Sequence, residues 1–125
     1  MKNSEETTYK VVIPFRLPGC NEFLDANRTG YQLAAKLKRE TEASIIPFLR
    51  NLPKFEDAIT VEFHWIEENK RRDFDNIAFA KKFIFDALQK AGKIKNDSWK
   101  YVKSFSDHFE VGEKSKVILI IRGTE

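Results

Sequence analysis

Asp73, Asp75 and Asp97 are the residues of this sequence best suited to chemistry. The first two stand one residue apart in the run KRRDFDN, directly after Lys70, Arg71 and Arg72 and before Asn76; the third follows Asn96, beyond Gly92. Short oxygen-bearing side chains at a helix start satisfy its exposed amide hydrogens and complement its positive end, so capping is one reading of Asp73, Asp75 and Asn76. A cap needs one such residue, however, and this stretch supplies three. Neighbouring carboxylates repel unless a cation or proton intervenes. Mg²⁺ meets that need with oxygen ligands: it keeps several waters and commonly takes one or two carboxylates plus a substrate phosphate. Phosphodiester hydrolysis uses the same parts, with the metal activating water and nearby cations offsetting charge in the transition state.

Other titratable groups read more plainly. Asp86 sits mid-helix, four residues after Lys82 and four before Lys90, where an i,i+4 ion pair accounts for it. His64 and His108 lie on or beside strands without a matching ligand set, which favours structural or surface roles. Glu62, Glu67 and Glu68 lie nearer the acidic pair, where one could support a metal, although surface exposure is the expectation for them. Cys20 is the lone cysteine, so no disulfide can form within the chain and a reducing compartment is the simpler inference.

These residues need elements to position them. Tyr9, Val11, Ile13 and Phe15 alternate with period two and predict a strand, for which Pro14 and Pro18 favour an edge position or an early end. LPGCNEFLDANRTG reads as a loop. A helix follows from about Tyr31 to Ile46, with Leu33, Leu37, Thr41 and Ile45 near one face, and Pro47 ends or kinks it. Ile59, Val61, Phe63 and Trp65 give the clearest strand pattern. A second helix is predicted over Asn76 to Ala91, stopping at Gly92. Its core stripe is widened by Phe79, Phe83 and Phe85, which suggests cover on two faces and so permits a dimer. Tyr101 to Phe105 and Val117 to Ile121 complete a β-α-β-α-β-β order. The expectation is an α+β fold with a small mixed sheet of about four strands and two main helices.

The chain of 125 residues fits one domain over 1–125. Its +3 charge is uneven: residues 70–103 hold ten Lys/Arg against four Asp, a local net of +6, leaving −3 for the rest. Such a segment attracts polyanions. The leader MKNSEETTYK lacks the apolar core of a signal peptide and no run approaches a membrane span, so a cytoplasmic protein with no membrane association is expected.

Asp73-Phe-Asp75-Asn76, then Asp86-Ala-Leu, then Gly92 followed by Asn96-Asp97, together with the opening Leu17-Pro-Gly-Cys-Asn21, resemble the RusA-type Holliday junction resolvases of phages and prophages. The resemblance spans most of the chain. It implies a homodimeric endonuclease, dependent on Mg²⁺ or Mn²⁺, that places paired nicks across a four-way DNA junction in recombination and repair. The family's catalytic and metal-binding acids fall on Asp73, Asp75 and Asp97, its polar neighbour on Asn76 and its basic neighbour on Arg72. Its catalytic lysine falls on Lys82 counting back from Asp86, with Lys81 beside it, although counting forward from Asp75 finds Phe79. Lys70, Arg71, Arg72, Asn76, Lys81 and Lys82 are the DNA-contacting set on this reading. Asn96, where many relatives carry Asp, and Trp99, at a usually polar position, depart from the pattern.

Two other functions compete. A silent module could bind branched or single-stranded DNA through the basic segment and exposed aromatics, its acids serving as caps. Alternatively, the phenylalanine-rich helix could serve dimerisation alone.

Overall fold

In the computed structural model, residues 5–125 are described; the start of the polar leader, residues 1–4, lies outside the described residues. Four strands form one mixed sheet in the order β1-β4-β2-β3, with β1 at Thr7–Ile13, β2 at Ile59–Glu67, β3 at Val102–Val111 and β4 at Lys116–Gly123. β4 runs antiparallel to both β1 and β2, whereas β2 and β3 are parallel. A parallel pair needs a long crossover, and the acidic segment lies within it. The α+β class and the mixed four-stranded sheet agree with the sequence pattern. β1 is an edge strand that ends immediately before Pro14, which has no N–H to continue the ladder.

The helices differ from expectation in three ways. First, LPGCNEFLDANRTG is not all loop: helix α1 occupies Cys20–Thr29. None of its residues is fully buried, and it meets the core through Phe23, which packs against Phe79 and Phe83. Second, α2 spans Tyr31–Ile45, but its buried stripe is Ala34, Thr41, Glu42 and Ile45, and Leu33 lies on the exposed side. The rotation turns Lys38 and Glu42 toward the last long helix. Third, the predicted second helix is two, α3 at Phe74–Ala78 and α4 at Lys81–Lys90. Between them the bonding tightens to i→i−3, with Ala80 N–H donating to Ile77 C=O at 3.2 Å and Phe83 N–H to Ala80 C=O at 3.0 Å.

One continuous core fills the space between the helices and one sheet face. Val11, Ile13, Val61, Phe63, Trp65, Leu119 and Ile121 point into it from the strands, meeting Ile45, Leu49, Phe83, Ile84 and Leu88. Each of the larger side chains contributes ~1.5–3 kcal/mol through burial. Phe79, Phe83 and Phe85 are covered by the chain itself: Phe23 of α1 lies 5.5 Å from Phe79 and 6.2 Å from Phe83, and Phe63 lies 5.6 Å from Phe85. The width of that apolar surface is therefore used internally and is no sign of a partner. Asp86 also differs from the expected pairing within its helix. Its carboxylate takes Lys38 of α2 at 3.0 Å, joining α2 to α4 beside fully buried Glu42, which lies between Lys38 and Lys90.

Candidate active site

The acidic segment begins where β2 ends. Asp73 occupies the N-cap position of α3 in extended backbone geometry, yet its carboxylate makes no capping hydrogen bond. Asp75, in the first turn, accepts the Asn76 N–H at 3.0 Å through Oδ1. Asp73, Asp75 and Asp97 are all exposed. Capping thus leaves Asp73 unexplained.

Asp75 and Asp97 come together along one open groove of about 710 Å³, lined also by Lys81, Lys82, Asp107, Phe79 and Phe109. Asp73 lines an adjoining groove with Lys70, Arg72, Glu67 and Asn69. Phe74 and Phe109 border both grooves, their rings stacked 4.1 Å apart, so this aromatic pair is the ridge between Asp73 and the other two acids. The three aspartates are neighbours across that ridge. They do not converge to ligand spacing in this conformation, where Glu62, His64 and His108 form the one such three-residue group among the described residues.

Asp107, which sequence reasoning missed, belongs to the Asp75–Asp97 groove. It accepts the indole N–H of Trp65 at 2.8 Å and pairs closely with Lys81. Lys81 is largely buried, with its ammonium 4.7 Å from the centre of the Phe105 ring. Lys82 is exposed in the same groove and forms no ion pair among the described residues. The two candidate lysines thus have different environments: Lys81 is anchored, and Lys82 is exposed and unpaired among the described residues. The signal for Asp107 is the alternation Phe105, Asp107, Phe109: β3 runs on to Val111, past the predicted end at Phe105.

Arg72 and Asn76 are occupied by the protein. The Arg72 guanidinium donates to both carboxylate oxygens of Glu67, each at 2.8 Å, and to Leu17 C=O at 3.2 Å, with both side chains only about 15% exposed. Glu67, expected at the surface, is instead one half of this bidentate clamp. Asn76 Oδ1 accepts the Asn21 N–H at 2.9 Å, serving as a tertiary cap for α1, whose own N-cap is Gly19. A Cβ on Gly19 would lie 2.5 Å from Asn76 Oδ1 and 2.8 Å from Asn76 O, so only glycine permits this approach. Leu17-Pro-Gly-Cys-Asn21 and the Arg72–Asn76 stretch, far apart in the chain, are therefore in direct contact. Glu22 adds to the junction: burial alone would raise its carboxyl, but Arg16, the Gly19 N–H and Arg72 outweigh burial and hold it below the ordinary range. Lys70 and Arg71 are exposed beside the clamp.

No protein-family model matches the chain, and no curated protein matches it. Among solved structures it is similar to the hydrogenase maturation protein HypE of E. coli, with a TM-score of 0.41 and 12% identity over 98% of this chain and 32% of that one. A hydrogenase maturation protein HypE in complex with ATP gives a TM-score of 0.38 at 10% identity, over 99% of this chain and 31% of that one. The chain spans about a third of the length of these proteins. Among the described residues no helix is long and apolar enough to cross a membrane.

Proposed function

We propose that this chain is a metal-dependent endonuclease that nicks branched DNA, with four-way junctions of recombination and repair as its substrate class. The observation carrying the reading is that Asp75 and Asp97, from opposite ends of the α3–α4 unit, line one groove with Lys81 and Lys82. The contact between the Leu17–Asn21 opening and Arg72–Asn76 adds support, since two segments that carry the RusA-type resemblance meet in space.

The groove suits a hard divalent cation in its donor chemistry, because Asp75, Asp97 and Asp107 all offer carboxylate oxygens there, with Asp73 across the aromatic ridge. Mg²⁺, or Mn²⁺ in its place, would be held by Asp75 and Asp97 in the groove, and by Asp73 once the Phe74–Phe109 ridge moves aside. When bound, it supplies Lewis-acid polarisation of the phosphodiester and a more acidic water. Lys82 neutralises the scissile phosphate, and Asp107 fixes Lys81 beside it. Lys70 and Arg71 hold flanking phosphates. Arg72 and Asn76 act one step back, as positioning residues that lock α1 and the end of β2 to the start of α3. A homodimer presents two grooves to two strands of a twofold substrate. Contacts are mainly to phosphates and DNA shape, as expected for structure-selective binding, and the protein, of phage or prophage origin, works in the cytoplasm of the bacterial host.

One observation favours a second reading. Trp99 is 97% exposed on a lysine-rich loop, the placement expected of a stacking residue in a non-catalytic DNA-binding module. Incubation of the chain with end-labelled four-way junction and Mg²⁺ or Mn²⁺ separates the two. The nuclease reading predicts paired, symmetric nicks, lost in Lys82→Ala; binding without nicks assigns the chain to the module. An inactive Lys81→Ala beside a fully active Lys82→Ala would transfer the phosphate role to Lys81.

A further inference from the structure

The helices cover one face of the sheet, and the other carries a second cluster of chemistry. Side chains alternate along a strand, so Glu62 and His64 of β2 share the uncovered face, opposite to Phe63 and Trp65. The parallel register sets His64 directly against His108 of β3. Their rings stack with centroids 4.7 Å apart and planes 14° from parallel. His64 Nε2 lies 3.3 Å from Glu62 Oε2, and His108 Nε2 lies 3.1 Å from Ser106 Oγ. Arg122 Nη1 donates to the other Glu62 oxygen at 3.2 Å, holding the carboxylate in place from β4.

We infer that Glu62, His64 and His108 form a binding site for a borderline transition-metal ion, Zn²⁺ or a close relative such as Co²⁺ or Ni²⁺, separate from the acidic groove. One ligand atom from each residue lies within 4.8 Å of the other two. Tetrahedral Zn²⁺ with bonds of roughly 2.0–2.1 Å needs donors ~3.4 Å apart, so coordination requires these partly exposed side chains to rotate inward. Two imidazoles and a carboxylate favour such an ion over Mg²⁺, which prefers an all-oxygen shell and gives up its water reluctantly. Three protein donors leave the fourth position to water or an added ligand. The exchange replaces the Glu62–His64 and Ser106–His108 hydrogen bonds by coordination, while Arg122 keeps its grip on the second Glu62 oxygen. Adjacent residues of β3 point to opposite faces, so Asp107 belongs to the groove and His108 to this site, with the sheet between them.

The test is a titration of the full chain with Co²⁺ and Zn²⁺, following Co²⁺ ligand-field absorption and its displacement by Zn²⁺. The expected result is one saturable site per chain, insensitive to excess Mg²⁺. Affinity falls by at least roughly tenfold in both His64→Ala and His108→Gln, and is retained in the double variant Asp75→Asn, Asp97→Asn. His108 is exposed on an edge strand, so His108→Gln keeps the test sound even if His64→Ala folds poorly. Absence of saturable binding, unchanged affinity in His108→Gln, or loss of binding in the double aspartate variant would each overturn the assignment.

Discussion

Arg72 shows how much a single side chain can decide here. Its guanidinium satisfies both oxygens of Glu67 and the carbonyl of Leu17, joining the end of β2, the approach to α1 and the acidic pair. The sequence placed a basic residue beside the acids, and its charge suggested a phosphate contact; only the fold shows that the charge is already matched. Arg72→Ala strands a mostly buried carboxylate, and removing one partner of such a pair costs about 3 kcal/mol. Thermal denaturation should therefore show a clearly lowered midpoint, and Lys70→Ala, at an exposed position, should leave the midpoint almost unchanged. Equal midpoints for the two variants would contradict the clamp. The two candidate lysines also part at this scale, because Lys81 is held by Asp107 and the Phe105 ring whereas Lys82 is exposed.

At the scale of elements, legibility followed burial. β2 and β4 alternate cleanly because one face is in the core and the other is not, and both were visible as patterns. α1 and the outer half of β3 were not. Neither buries a full stripe, and α1 is held by Phe23 against Phe79 and Phe83 together with Asn76, Glu22 and the close approach at Gly19, tertiary contacts with no local period. The break at Phe79–Ala80 was hidden because the apolar pattern runs through it. α1 carries a pH dependence of definite sign. Glu22 has a folded pKa held below the ordinary value, so its contribution is present above the unfolded pKa and is lost as pH falls through the folded value. Urea denaturation of wild type and Glu22→Gln should show wild type more stable near neutrality and the difference shrinking into acid; a difference that grows toward acid would reverse the assigned sign.

For the whole molecule, the parallel β2–β3 pair is the organising feature. It requires a crossover, and the acidic segment is that crossover, so Asp73 and Asp75 start beside the C-terminal end of β2 and Asp97 returns just before β3. The acids were visible in the sequence because their type and spacing are unusual. Their division across the Phe74–Phe109 ridge was not, since it depends on where the edge strand places Phe109. The basic 70–103 segment should make DNA affinity steeply salt-dependent, with log K falling linearly against log salt. Filter binding across a salt series measures this, and a flat response would remove phosphate contacts as the source of affinity.

The central claim is that the acids cut and the cations bind. Its most direct measurement is the cleavage rate and junction affinity of Asp97→Asn, compared with wild type in Mg²⁺. Loss of nicking by a factor on the order of a hundred or more, with junction affinity equal or slightly higher because a negative charge has left the groove, is the predicted result. Retained nicking by Asp97→Asn would contradict the account.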